Sequence, residues 1–129
     1  MRIGELAAAA GTTTKTLRFY EETGLLPPAA RTTAGYRDYT SGTLARLDFI
    51  RRGRAAGLTL AQIGEVLDVR DDGQTPCRHV EEVLGERLAA LDTQIADLQL
   101  LRDTVAELHR GAAAGDPEDC PADQICRYL

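Results

Sequence analysis

Apolar residues recur at helical spacing in several stretches of the chain, separated by short polar or glycine-bearing breaks. Ile3 to Ala10 reads as a short helix ended by Gly11. Thr12, Thr13 and Thr14 then offer N-caps for a second helix through Leu17 and Tyr20 to Glu22, with Gly24-Leu25 as its stop. Two short helices across a glycine turn form a helix-turn-helix, whose second member carries Lys15, Arg18 and Tyr20. After Pro27-Pro28 the helical period is lost. Arg31 to Tyr39, with a turn at Ala34-Gly35 followed by Tyr36 and Arg37, predicts a small hairpin or wing. Ser41 as cap predicts a third helix with Leu44, Leu47 and Ile50 on one face, stopping near Gly57. Thr59 caps a fourth with Leu60, Ile63 and Leu67, and these faces are expected to pack under the first two helices.

Arg70 to Gln74 is a polar break, after which Thr75-Pro76 predicts a strong helix start, Thr as N-cap and Pro in the first helical position. Leu84, Leu88, Leu91, Ile95, Leu98 and Val105 follow at intervals of 4, 3, 4, 3 and 7. This is a heptad seam interrupted only by Arg102 and widened by Val80, Leu101 and Leu108. Gly85 within it costs roughly 1 kcal/mol relative to Ala and leaves the pattern intact. The alternative, packing on the chain's own core, is disfavoured because residues 1–70 leave few apolar side chains to cover so long a seam. A homodimer through this helix is expected. The helix is predicted to end at Gly111, ahead of a Gly- and Ala-rich break. The expected division is 1–70, a winged helix-turn-helix; 76–111, a dimerisation helix; and 112–129, a short tail. The fold class is mainly α.

Composition adds little until charge is divided by position. The 129 residues, 43% apolar and 27% charged, describe a globular chain with no apolar run near the roughly 20 residues a membrane helix needs. Net charge is −5. Residues 1–54, however, hold nine Lys or Arg against five acids, a balance of +4, and residues 71–129 hold five against thirteen, a balance of −8. A basic half able to face a polyanion is one reading, and two ordinary solvated surfaces is the other. Glu5 stands where a signal peptide would have its apolar stretch, so a cytoplasmic location with reduced thiols is expected.

All three cysteines lie outside the basic half. Cys77 falls in the first turn of the long helix, where unpaired backbone N–H groups favour a thiolate. Cys120 and Cys126 sit in the tail at a spacing unlike a CxxC redox or zinc motif, and a buried structural thiol is the ordinary alternative for each. Cys77 and Gly111 would be roughly 50 Å apart along an unbroken helix. The residues from Gly111 to Cys120 span at most about 30 Å. One chain with an unbroken helix therefore does not bring Cys120 to its own Cys77, whereas an antiparallel pair of helices brings the tail of one protomer beside Cys77 of the other. Three thiolates suit Zn, Cd, Hg, Pb or Cu(I) and exclude Mg and Ca. For a fourth zinc ligand His79 is the nearest candidate, although two residues on a helix differ by about 200°, and His109 is a weaker one.

Taken together, Ile3-Gly4-Glu5-Leu6-Ala7, Thr16-Leu17-Arg18-Phe19-Tyr20-Glu21-Glu22-Thr23-Gly24-Leu25-Leu26 and Gly35-Tyr36-Arg37-Asp38-Tyr39-Thr40 resemble the MerR family of transcriptional regulators. The resemblance implies a winged helix-turn-helix, an antiparallel coiled-coil dimer, and an effector site near the coil ends. It implies DNA contacts from Arg18 and Tyr20 on the second helix and from Tyr36 and Arg37 on the wing, with Lys15 and Arg54 as further phosphate contacts. It also implies an activator, not an enzyme, that distorts promoter DNA for RNA polymerase on loading. Cysteine at position 77 is similar to the divalent-ion sensors of the family, since copper(I) sensors carry serine there. The chain departs in the tail, with Ala112 where a loop cysteine is expected and an additional Cys126. The expected site is Cys77, Cys120 and Cys126, with Zn or Cd favoured and Hg or Pb open. A thiol-redox or small-molecule sensor is the alternative regulator, a thiol enzyme or metal store fits the paired Arg and Tyr residues poorly, and a pure interaction module would be excluded by loss of DNA affinity in Arg18→Ala and Arg37→Ala.

Overall fold

The computed structural model describes all residues 1–129. Five helices and one two-stranded ladder follow in order: α1 Ile3–Ala10, α2 Thr14–Glu22, β1 Ala30–Arg31, β2 Arg37–Asp38, α3 Ser41–Ala55, α4 Leu60–Asp71 and α5 Cys77–Ala114. The chain divides into two compact units, Met1–Leu84 and Gly85–Leu129.

In the first unit the helix ends follow their local chemistry. Thr13 caps α2, its hydroxyl accepting from the Thr16 N–H at 3.1 Å. Gly24, at φ 82°, closes that helix: its own N–H reaches the Glu21 carbonyl and the Leu25 N–H reaches that of Tyr20. This is the left-handed C-terminal turn that glycine adopts without a Cβ penalty. Thr59 and Gln62 form a reciprocal capping box on α4. One cap differs from expectation: Thr40, not Ser41, occupies the N-cap of α3 and no side chain closes it, so Ser41 is already helical.

The apolar faces converge as predicted. Leu6, Leu17, Leu26, Ile50 and Ile63 are at most 1% exposed and join Leu47, Leu67 and Tyr39 in one core. Gly53 allows α3 and α4 to approach closely, since a Cβ there would lie 2.9 Å from the Ile63 side chain. Arg46, nearly buried, ties three segments: its Nε donates to the Leu25 carbonyl at 2.6 Å and its two terminal nitrogens to Asp71 at 2.8 and 3.1 Å. The wing is short, with Ala30 paired antiparallel to Asp38 and Arg31 to Arg37. Val83 of α5 is buried in this core, which is why the unit takes in the opening of α5.

In α5 the Pro76 carbonyl accepts the first helical bond, from Val80, so Cys77 is the first helical residue, one place later than the cap pattern predicts. The helix also passes Gly111 and ends at Ala114. One glycine costs roughly 1 kcal/mol, and the three alanines that follow are the best helix formers, so the break falls at Gly115. In the second unit the seam is uncovered: Leu88, Ile95, Leu98, Leu101 and Val105 are all more than half exposed. No helix is long and apolar enough to cross a membrane.

Candidate nucleic-acid interface and free thiols

The nine-residue α2 buries Leu17 and half-buries Tyr20 against the core, and this turns Lys15 and Arg18 outward. Neither has an intramolecular acidic partner, and Arg54 in the last turn of α3 is likewise unpaired. Their basic neighbours differ: Arg51 and Arg52 both engage Asp48, at 2.7 and 3.1 Å. A guanidinium or ammonium group with no intramolecular acid is free to meet a phosphate.

Two hollows group the predicted residues. Arg18 and Arg37 line one of about 330 Å³ with Ile3, Glu21 and Glu22. Tyr20 and Arg54 line another of about 210 Å³, where Arg51 joins them. Tyr36 stands at the wing 53% exposed, with the Arg2 guanidinium 4.1 Å from its ring centroid. Arg37 is not free. Its Nη1 donates to Glu21 Oε2 at 2.5 Å, and the Tyr39 hydroxyl donates to Glu21 Oε1. The Tyr39 hydroxyl and the Glu21 carboxylate hold the Arg37 guanidinium still more firmly protonated. Burial, then the bond to Glu21, push the Tyr39 phenol up, so it stays a donor.

Sequence reasoning passed over Glu21, Arg2 and Arg46. Glu21 sits 16 and 18 residues from its partners, and no local pattern marks a contact of that range.

All three cysteines are free thiols, Cys77 and Cys126 exposed and Cys120 partly so. In the second unit the tail closes on itself: the Tyr128 hydroxyl donates to the Asp116 carbonyl at 3.2 Å, and a Cβ on Gly115 would run into the Tyr128 ring. The Arg127 guanidinium donates to the Asp119 carboxylate and carbonyl at 2.7 and 3.1 Å. The Arg127 backbone N–H, which directly follows Cys126, donates to Cys120 Sγ at 3.2 Å. Within one chain no group of three His, Cys, Asp or Glu side chains is assembled to hold an ion. His79 instead turns its Nε2 to Glu65 at 3.5 Å, too long for a hydrogen bond, and that nitrogen has no other partner. His109 is exposed on α5 beside Arg102 and Val105.

Comparison with known proteins adds to this geometry. The family described as MerR HTH family regulatory protein matches residues 1–69, and that described as MerR, DNA binding matches 44–108. The chain is 37% identical over 120 residues to a protein of Haemophilus influenzae named "Probable heavy metal-dependent transcriptional regulator", covering 93% of this chain and 94% of the relative. It is similar to a transcription regulator of Ralstonia metallidurans solved in complex with lead(II), with a TM-score of 0.78 and 36% identity over 100% of this chain and 96% of that one. A mercury(II)-bound regulator of Bacillus megaterium matches with a TM-score of 0.66 and 29% identity, covering 98% and 92%.

Proposed function

The chain belongs to the MerR family of DNA-binding transcription regulators, which are not enzymes, and from that premise we propose that it is a homodimeric activator governed by a thiophilic divalent ion. The observation that carries this reading is the split of the thiols. Cys77 opens α5, Cys120 and Cys126 follow its other end, all three are free, and no three-ligand group exists in one chain. An antiparallel pairing of α5 through its uncovered seam would set Cys77 of one protomer with the partner's Cys120 and the partner's Cys126, giving two sites per dimer. The donor set fits a soft divalent ion, Zn or Cd first and Hg or Pb after them. His79, turned toward Glu65, is left out of it.

On the DNA side, α2 enters the major groove with Lys15, Arg18 and Tyr20, the wing contributes Tyr36 and Arg37, and Arg54 meets a flanking phosphate. Cys77 of one protomer with the partner's Cys120 and the partner's Cys126 would hold the ion across two subunits, and the cross-link it would supply acts as an effector if it is stronger in one arrangement of the DNA-binding heads than in the other. Only such a difference shifts a population. The favoured arrangement bends and untwists promoter DNA, at a cost of several kcal/mol, so that RNA polymerase engages both promoter elements.

An anaerobic titration of the reduced protein with Cd(II), followed by competition with Zn(II), tests this. Thiolate-to-metal absorbance should saturate at two ions per dimer and shrink when Cys77→Ser is introduced, with DNA affinity in the absence of metal unchanged. Absorbance indifferent to Cys77→Ser would remove the intersubunit site and leave redox sensing as the reading to test.

A further inference from the structure

We propose that Glu21 is a positioning residue for DNA binding: from α2 it aims the wing's Arg37 into the hollow that Arg18 lines, so that guanidinium groups from two separate elements meet one backbone phosphate. This rests on the reading that Arg18 and Arg37 face DNA.

An acid on a surface that meets a polyanion is unfavourable on charge alone. Glu21 and Glu22 both line that hollow, but the Glu21 carboxylate is largely covered by its partners. The Glu21 side chain is 10% exposed, and both carboxylate oxygens are engaged from the wing side, one by Arg37 Nη1 and the other by the Tyr39 hydroxyl. Arg37 remains 42% exposed. Its guanidinium has five N–H groups, and the single contact to Glu21 leaves the others for a second acceptor. Arg18 lines the same hollow with no intramolecular acidic partner. Anchoring one edge of a flexible side chain in advance reduces the freedom it loses on binding. The wing is short, β1 and β2 pairing over only two residues each, and its other anchors, the Met1 amino group on Asp38 at 2.6 Å and the Tyr39 N–H on the Met1 carbonyl at 2.7 Å, hold its base without reaching the Arg37 side chain. The carboxylate therefore serves the recognition helix and the wing together, as a brace between them.

The test uses the full chain and a fluorescent mixed-sequence duplex of about 30 base pairs, because a phosphate contact needs no particular sequence. Anisotropy is followed over a salt series for wild type, Glu21→Ala, Glu21→Gln, Arg37→Ala and the Glu21→Ala/Arg37→Ala double variant. Arg37→Ala should lower the slope of log K against log salt by about 0.9. Glu21→Ala should weaken binding about fivefold although it removes a negative charge. Glu21→Gln, which retains an acceptor for Arg37, should recover most of that loss, and Glu21→Ala should have no further effect once Arg37 is gone. Tighter binding by Glu21→Ala would overturn the proposal, as would an equal loss with and without Arg37, the signature of a merely structural acid. Unchanged affinity and slope in Arg37→Ala would instead overturn the underlying reading of Arg37 as a DNA contact.

Discussion

Helices α3 and α5 carry apolar residues at the same kind of spacing, and the two end in opposite environments. Leu47 and Ile50 of α3 are buried beneath α1, α2 and α4, whereas Leu88 and Leu98 of α5 stand 61% and 64% exposed. Period alone selects a helix and one of its faces, and the face is buried only where enough other apolar surface lies within reach. The first unit contains that surface. The second unit has one helix and a tail closed by Tyr128, so its seam remains uncovered within the chain. Charge divides along a similar line, +4 over residues 1–54 and −8 over 71–129.

The sharpest way to break this contrast is to truncate one residue on each side of it. Ile63→Ala, in a fully buried position, should cost about 2–5 kcal/mol in denaturant unfolding. Leu98→Ala should leave the monomer within about 0.5 kcal/mol of wild type at low protein concentration. Its effect should appear in sedimentation equilibrium, as roughly tenfold weaker self-association, since association removes that side chain from water. Equal losses in the monomer would mean that the seam is covered by its own chain.

A smaller effect probes how tightly the first unit is packed. Gly53→Ala gains roughly 1 kcal/mol of helix propensity. It also forces a methyl to within 2.9 Å of the fully buried Ile63. Overpacking of this kind costs about 1–3 kcal/mol, so a net loss on the order of 1 kcal/mol is expected in thermal melts. Gly85→Ala, with open space around the added methyl, should stabilise instead.

The smallest effect is acidic. The hydrogen bond and charge of Arg46 hold the Asp71 carboxyl below its ordinary 3.8. The pair's contribution is therefore complete above that ordinary value and is lost as pH falls through the lower folded value. Half-exposed, it should amount to less than about 1 kcal/mol. Unfolding profiles of wild type and Asp71→Asn should converge at the acid end.

Much of this architecture is legible from local pattern. The ends of α1 and α2, the wing's turn at Gly35 and the Thr59 cap each depend on residues a few positions apart, where backbone preference and capping operate. The basic residues of the candidate interface were legible as residue types. Which of them keep an open charge was not, because the acids that occupy Arg37 and Arg46 lie 16 and 25 residues away. The end of α5 was misplaced by three residues for a related reason: Gly111 stops a helix only when its neighbours do not sustain it, and the alanines after it do.

The chain's own order of residues thus determined its helices, its glycine stops, the positions of its thiols and the surplus of apolar surface on α5, all consequences of short-range sterics and of composition. Tertiary structure decided the pairings. It put Glu21 between Arg37 and Tyr39, brought Gly53 against Ile63 and turned His79 to Glu65, because contacts across a fold follow from the joint packing of elements whose separation along the chain carries no record of their meeting.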